Sequence, residues 1–207
     1  DHLSFCDLRA GSVKRVAKPS VHAQAFNIFK LPFIDFRATV DIGKIKFKKL
    51  WVKNAHGNVR MHANHHLDLD TLYFEIAEGS IVAQAHFNGS NPDKIYLQSG
   101  IRVNDVNLEK MLLKLDYLGQ DYVINKNIKG HISGFINSYV QVYPDLTPLI
   151  DHSEAQLDIN VRDGVLVNFA PIHALSSYFK DKNLNMVRFD TLKNKFTFKN
   201  GALSFPN

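Results

Sequence analysis

The chain has 207 residues, 45% of them hydrophobic and 22% charged. That is the composition of a folded chain rather than a disordered one, and its length allows one sizeable core or two small ones. A net charge of +5 with the basic residues dispersed is too weak a signature for nucleic acid. The single cysteine, Cys6, excludes an internal disulfide framework, and no apolar run reaches the roughly 18 residues of a membrane-spanning helix.

Residues 1–32 carry little pattern. "AGSVKRVAKPS" is basic and broken at Pro19, with a second break at Pro32, and reads as a short strand or two with a connecting loop. From Phe33 a period of two sets in, the mark of a half-buried strand. Ile34, Phe36, Ala38, Val40 and Ile42 oppose Asp35, Arg37, Thr39 and Asp41. Gly43 shifts the phase, as a bulge would, and Ile45 and Phe47 then alternate with Lys44, Lys46 and Lys48. "HGN" at 56–58 is a turn signal, after which Val59, Met61 and Ala63 alternate with polar neighbours. Leu67 and Leu69 follow, then Leu72, Phe74 and Ile76 one residue out of phase. "EGS" at 78–80 predicts a hairpin turn into Ile81, Ala83, Ala85 and Phe87, and "NGSNPD" at 88–93 turns the chain into Ile95, Leu97, Ile101 and Val103. Tight connections between successive strands imply an antiparallel meander.

A helical period appears in "NLEKMLLKLDYL", where Leu108, Met111, Leu112 and Leu115 lie on one face and Asn107 or Asp105 can cap the start. "NIKGHISGFINSYVQVY", 127–143, alternates almost without a break; at about 3.3 Å per residue it predicts a strand roughly 50 Å long. Pro144 and a helical turn around "LTPLI" come next. Leu157, Ile159 and Val161 predict a strand ended by a hairpin at Asp163-Gly164, with Val165 and Val167 returning. "APIHALSSYF" at 170–179 predicts a short helix with Pro171 in its first turn. Val187, Phe189, Phe196 and Phe198 belong to strands, and Asn200-Gly201 is a tight turn into Leu203 and Phe205.

Catalytic signatures are absent from the sequence: there is no Gly-rich phosphate loop, no nucleophile elbow, no C-x-x-C and no H-E-x-x-H, so the chain reads as a non-enzyme without a cofactor. The densest polar cluster is "HANHHLDLD", with His62, His65, His66, Asp68 and Asp70. Imidazoles and carboxylates at this spacing suit zinc in principle, but on strands and turns they read more simply as solvated side chains, and no second ligand group stands elsewhere; no metal is expected. Lys44, Lys46 and Lys48 suit lipid phosphates or, more simply, a charged strand face guarding an edge. Phe135, Tyr139 and Tyr143 stand on the polar side of the long strand, where they serve as packing or as an interaction surface.

The informative feature is an imbalance. Roughly ten strands each carry one apolar face, and only two or three short helices are available to cover them. A sheet must bury such a face on another sheet, on helices or on a ligand. An open gutter would be filled by acyl chains, at about 0.8 kcal/mol per buried CH₂, without any specific polar constellation. The residues expected to line it are Ile34, Phe36, Val40, Val59 and Met61, then Phe74, Ile76, Ile81 and Phe87, then Ile95, Leu97, Ile132, Ile136 and Val140.

The segments "GHISGFINSYVQVYPD", "AQLDINVRDGVLVNFAPIHALSSYF" and "VRFDTLKNKFTFKNGALSFPN" resemble the C-terminal region of AsmA-like proteins of Gram-negative envelopes, the group that includes the TamB and YhdP types. A strand ending in Asp163-Gly164, a Pro-containing short helix, a strand with Phe189 and Leu192, and a strand leading to Asn200-Gly201 carry the likeness. The stretch from Leu67 to Leu112 resembles the repeat that precedes it, so the likeness covers about 34–207. It implies a mainly β fold with minor α content: a long, curved, taco-like antiparallel sheet with a hydrophobic groove over 33–207, preceded by the weakly patterned 1–32. It further implies a periplasmic segment of a longer protein, anchored to the inner membrane by a helix outside this sequence. The partners implied are phospholipid or another acyl-chain lipid, moved between inner and outer membranes, and possible envelope proteins. The alternative is an assembly module for outer-membrane biogenesis that pairs through its sheet edges without carrying lipid.

Overall fold

The computed structural model describes residues 27–47, 50–114, 127–168 and 184–204. They form one open antiparallel sheet, curved but not closed, in which nine strands pair strictly in chain order. These are β1 (Phe36–Phe47), β2 (Leu50–His62), β3 (His66–Ile76), β4 (Gly79–Asn88), β5 (Ile95–Asn107), β6 (Ile128–Val142), β7 (Pro148–Val167), β8 (Met186–Lys199) and β9 (Ala202–Ser204). The described helices are a 3-10 turn at Ile28–Lys30 and α1 at Leu108–Lys114. Residues 1–26 and the helix expected at 170–179 lie outside the described residues.

The meander follows from its turns. Ala77 and Glu78 both take positive φ, 47° and 71°, the geometry of a two-residue type I′ loop whose twist matches that of the strands. Asn200 and Gly201 (52° and 71°) do the same between β8 and β9. Asn107 caps α1, its Oδ1 accepting from the Lys110 N–H at 2.9 Å. The long alternating segment is the single 15-residue strand β6.

Three local expectations are corrected. "HGN" at 56–58 is not a turn but the middle of β2, where Gly57 faces the β3 backbone so closely that a Cβ would come within 2.3 Å of the Thr71 carbonyl oxygen. Asp163-Gly164 is not a hairpin either: β7 runs through it for 20 residues. Asp163 adopts φ 52° as the extra residue of a bulge, since Lys129 pairs with Val165 and His131 with Arg162. The segment around "LTPLI" opens β7 as extended chain instead of forming a helical turn.

Bulges keep the apolar side chains on one face. Asn58 pairs with Thr71 but Val59 with Leu69, so Asp70 is an extra residue in β3. It accounts for the phase change between Leu69 and Leu72. Lys53 pairs with Glu75 but His56 with Tyr73, so β2 changes phase at Asn54 (φ 48°). β1 changes phase with it at Gly43, because the β1–β2 register is unchanged on either side. Asp105 (φ 50°) is the equivalent in β5, between Val103–Gly134 and Val106–Ile132. Asn and Asp tolerate this left-handed conformation better than other side chains.

Candidate functional site

Register sorts the sheet into two faces. Opposed residues of antiparallel strands share a face, so one lateral row reads Val59, Leu69, Ala85, Ser99, Ser138, Ala155 and Phe198. Another runs Leu72, Ala83, Ile101, Ile136, Leu157, Phe196. Of the expected lining residues, Phe36, Val40, Val59, Met61, Phe74, Ile76, Ile81, Phe87, Ile95, Leu97, Ile132, Ile136 and Val140 all fall on this apolar face. Ile34 does not: it precedes β1, outside the sheet, and is 60% exposed.

Among the described residues, the segments that fold over the apolar face lie at its ends. At one end the 3-10 turn folds over β4, β5 and β6: Ile28, Phe87, Ile95 and Val142 form a buried cluster with Phe29, Phe33, Leu67, Leu97 and Val140 around it. The Ile28 N–H donates to the Pro144 carbonyl at 2.8 Å, and Asn27 Oδ1 caps the turn through the Phe29 N–H. At the other end Leu50, Val106 and Leu108, the first residue of α1, are buried. Between the ends the apolar side chains of β3 to β7 are only half-buried, Ile101, Ile136, Leu157 and Ile159 among them. Among the described residues no second sheet lies over them.

The opposite face is polar and holds an open hollow of about 940 Å³, lined by residues of β3 to β7. A twisted sheet is saddle-shaped, and therefore concave along one diagonal on each face. Beside the hollow, Asp68 accepts from His62 Nε2 at 3.0 Å and from His86 Nδ1 at 2.6 Å. Those hydrogen bonds, the His86 one foremost, hold the Asp68 carboxyl below its ordinary range. The aromatic row continues from His86 to Tyr96 and from Tyr96 to Tyr139, with ring centroids 6.2 and 5.2 Å apart.

The expected histidine–aspartate cluster is thereby divided. Asp70 turns to Arg60 Nη2 at 2.6 Å, His65 stacks on Phe33 at 4.6 Å, and His66 meets the edge of His86. Among the described residues, no group of three or more His, Cys, Asp or Glu side chains is arranged to hold a metal ion. The lysines of β1 do not simply project into solvent: Lys44 Nζ stands 4.2 Å from the Trp51 ring centroid and Lys46 Nζ 5.7 Å, cation–π contacts worth about 0.5–1 kcal/mol at an exposed site. Asn88, at the start of "NGSNPD", accepts from the Ser90 N–H through its Oδ1 and forms the expected turn.

Because folding depresses the Asp68 pKa, its contribution to stability is present above the unfolded carboxylate range and is lost as pH falls through the folded value. Asp68→Asn is expected to lower the urea midpoint near neutrality, and the difference from wild type should close in acid below about pH 4. Urea titrations of both proteins between neutral and acidic pH check this; a difference independent of pH would contradict it.

No family model matches the chain, and no curated protein or solved structure matches it either.

Proposed function

We propose that the sheet is an acyl-chain-binding surface: a segment of an AsmA-like envelope protein that holds phospholipid, or another acyl-chain lipid, on its apolar face and passes it between inner and outer membranes. The observation that carries this reading is the continuity of that face, apolar from β1 to β8 and without a second layer over its middle among the described residues. A contiguous face of half-exposed Ile, Leu, Val and Phe is the kind of apolar surface that marks a binding or interaction site. An acyl chain laid across them gains about 0.8 kcal/mol per buried CH₂. In this reading the chain works in the periplasm, held at the inner membrane by an anchor beyond the present sequence. The family likeness supports this location through its strand alternation and the Asn200-Gly201 turn, although Asp163-Gly164 is a bulge within β7 and not a strand end. Transfer along the sheet needs no bond-making, so no residue is assigned a catalytic role.

Gentle purification followed by organic extraction and mass spectrometry tests the reading. Phospholipid in stoichiometric amount is expected; a folded protein that stays lipid-free when incubated with phospholipid vesicles would overturn it.

A second reading rests on the sheet edges. Among the described residues the outer side of β1 pairs with no strand, and β9 covers only Thr197–Lys199 of β8. An assembly module would use those edges for strand addition. Crosslinking in cells that captures an envelope protein through β1 and no lipid anywhere would favour it.

A further inference from the structure

Strand β5 contains a glycine that the backbone does not require. Gly100 lies on the polar face, opposite Gln84 of β4 and Asn137 of β6. A glycine inside a strand weakens the sheet and often marks a place where another backbone or a ligand comes close. Gly57, Gly79 and Gly134 answer to a neighbouring backbone, since a Cβ on each would lie 2.2–2.4 Å from a carbonyl oxygen. Gly100 answers to none. Its φ is not in the left-handed region, and a Cβ there would meet nothing nearer than Asn137 Oδ1 at 3.5 Å, with the Phe135 ring next at 3.8 Å. Its missing side chain leaves space instead, in the floor of the 940 Å³ hollow.

The walls of that space have a consistent chemistry. Gln98, Arg102, Asn137 and Gln156 line it, and among the described residues none of these side chains hydrogen-bonds to another protein group. Phe135, 39% exposed, runs alongside Gly100, and Tyr139 stands four residues further along β6, on the same face. The acidic groups at the margin are already engaged: Asp68 by two histidines, Asp70 by Arg60, Glu154 by Lys199 at 2.8 Å. What remains is a set of amides that both donate and accept, one guanidinium, and two aromatic rings. An apolar ligand would leave the amides desolvated and unpaired, and a phosphate group would call for more than one cation or a nest of backbone N–H groups.

We infer that the polar face carries a second binding site, centred on Gly100, for an uncharged oligosaccharide. Sugar hydroxyls match the amides of Gln98, Asn137 and Gln156, and the C–H faces of the sugar rings pack on Phe135 and Tyr139. Gln84, Gly100, Asn137 and Gln156 form one lateral row across β4 to β7, with Gln98 and Tyr139 paired in the next row; with strands about 4.8 Å apart, these two rows suit a chain of sugars lying across the strands. This site is independent of the apolar face.

Calorimetry with chitohexaose, cellohexaose and maltohexaose on the whole chain tests the inference. At least one of the three is expected to bind at micromolar to millimolar concentration. Gly100→Thr should weaken that binding by about tenfold or more without lowering Tm, because a β-branched residue suits a strand. Phe135→Ala, which leaves the glycine intact, should weaken it by about fivefold or more through lost stacking; if Gly100→Thr does not fold, this variant decides. Ile132→Asp on the opposite face should leave sugar binding unchanged, whatever it does to lipid. Binding of none of the three sugars, binding of inorganic phosphate alone, or equal affinity in the Gly100→Thr and wild-type proteins would each overturn the inference.

Discussion

Replacing Ile132 and Ile136 of β6 by aspartate is expected to strip the protein of bound acyl lipid while leaving the sheet folded. Both side chains lie on the apolar face, Ile136 mid-strand and Ile132 opposite the buried Val106 towards the α1 end, and both are half-buried, with in-plane neighbours such as Val161 and Leu157. A carboxylate on this face stays solvated in the free protein, so the stability cost is limited to the lost packing, about 1–2 kcal/mol for each site. Under an acyl chain the same carboxylate must be desolvated without a partner. That costs about 3 kcal/mol or more per site even after relaxation and water penetration, or roughly 100-fold or more in affinity for each substitution. Lipid content measured by extraction, beside a circular dichroism spectrum of the same sample, separates the two effects. If the face were instead packed inside the protein, the double variant would unfold. If it bound nothing, lipid content would not change.

Gly134→Ala is expected to be the most damaging small substitution in the sheet. The new methyl would sit 2.2 Å from the Asp158 carbonyl oxygen of β7, and a backbone group cannot yield as a flexible side chain can. Overpacking of this kind costs about 2–4 kcal/mol, which for a chain of this size lowers Tm by roughly 5–15 °C. The matching control is Gly43→Ala in β1, where a methyl would meet nothing within 4 Å and Tm should hold or rise. Equal midpoints for the two variants would mean that β6 and β7 do not pair in the register Gly134–Ile159.

Much of this architecture was legible because a half-buried strand writes its period directly into the sequence. The alternation of 128–142 could only be one long strand. The slips at Gly43 and between Leu69 and Leu72 marked real phase changes in the sheet. Turn chemistry was less decisive, because the residues that make a hairpin loop also make a bulge. Asp163-Gly164 reads as a type I′ turn, yet Asp163 uses the same positive φ to absorb one extra residue in a continuous strand. Only the long-range partners, Lys129 and His131 on β6 and Arg188 on β8, decide between the two. The partner of Asp68 was hidden for a related reason. Counting back from the turn at Ala77–Glu78 opposes Asp68 to Phe87, on the wrong face; the extra residue at Asp70 moves the register by one and brings in His86. The hollow at Gly100 had no local signal beyond a glycine inside an apolar alternation, because a cavity floor depends on what neighbouring strands leave empty.

Ile136 and Asn137 are adjacent in β6 and point to opposite faces of the sheet, so they give the most direct test of which face meets lipid. A photo-crosslinking benzophenone residue is placed at one position or the other, and the irradiated adducts are identified by mass spectrometry from intact envelopes. Phospholipid adducts at position 136 and none at 137 are the predicted result. Lipid adducts at 137 alone, or only protein adducts at 136, would contradict the assignment of the apolar face to acyl chains.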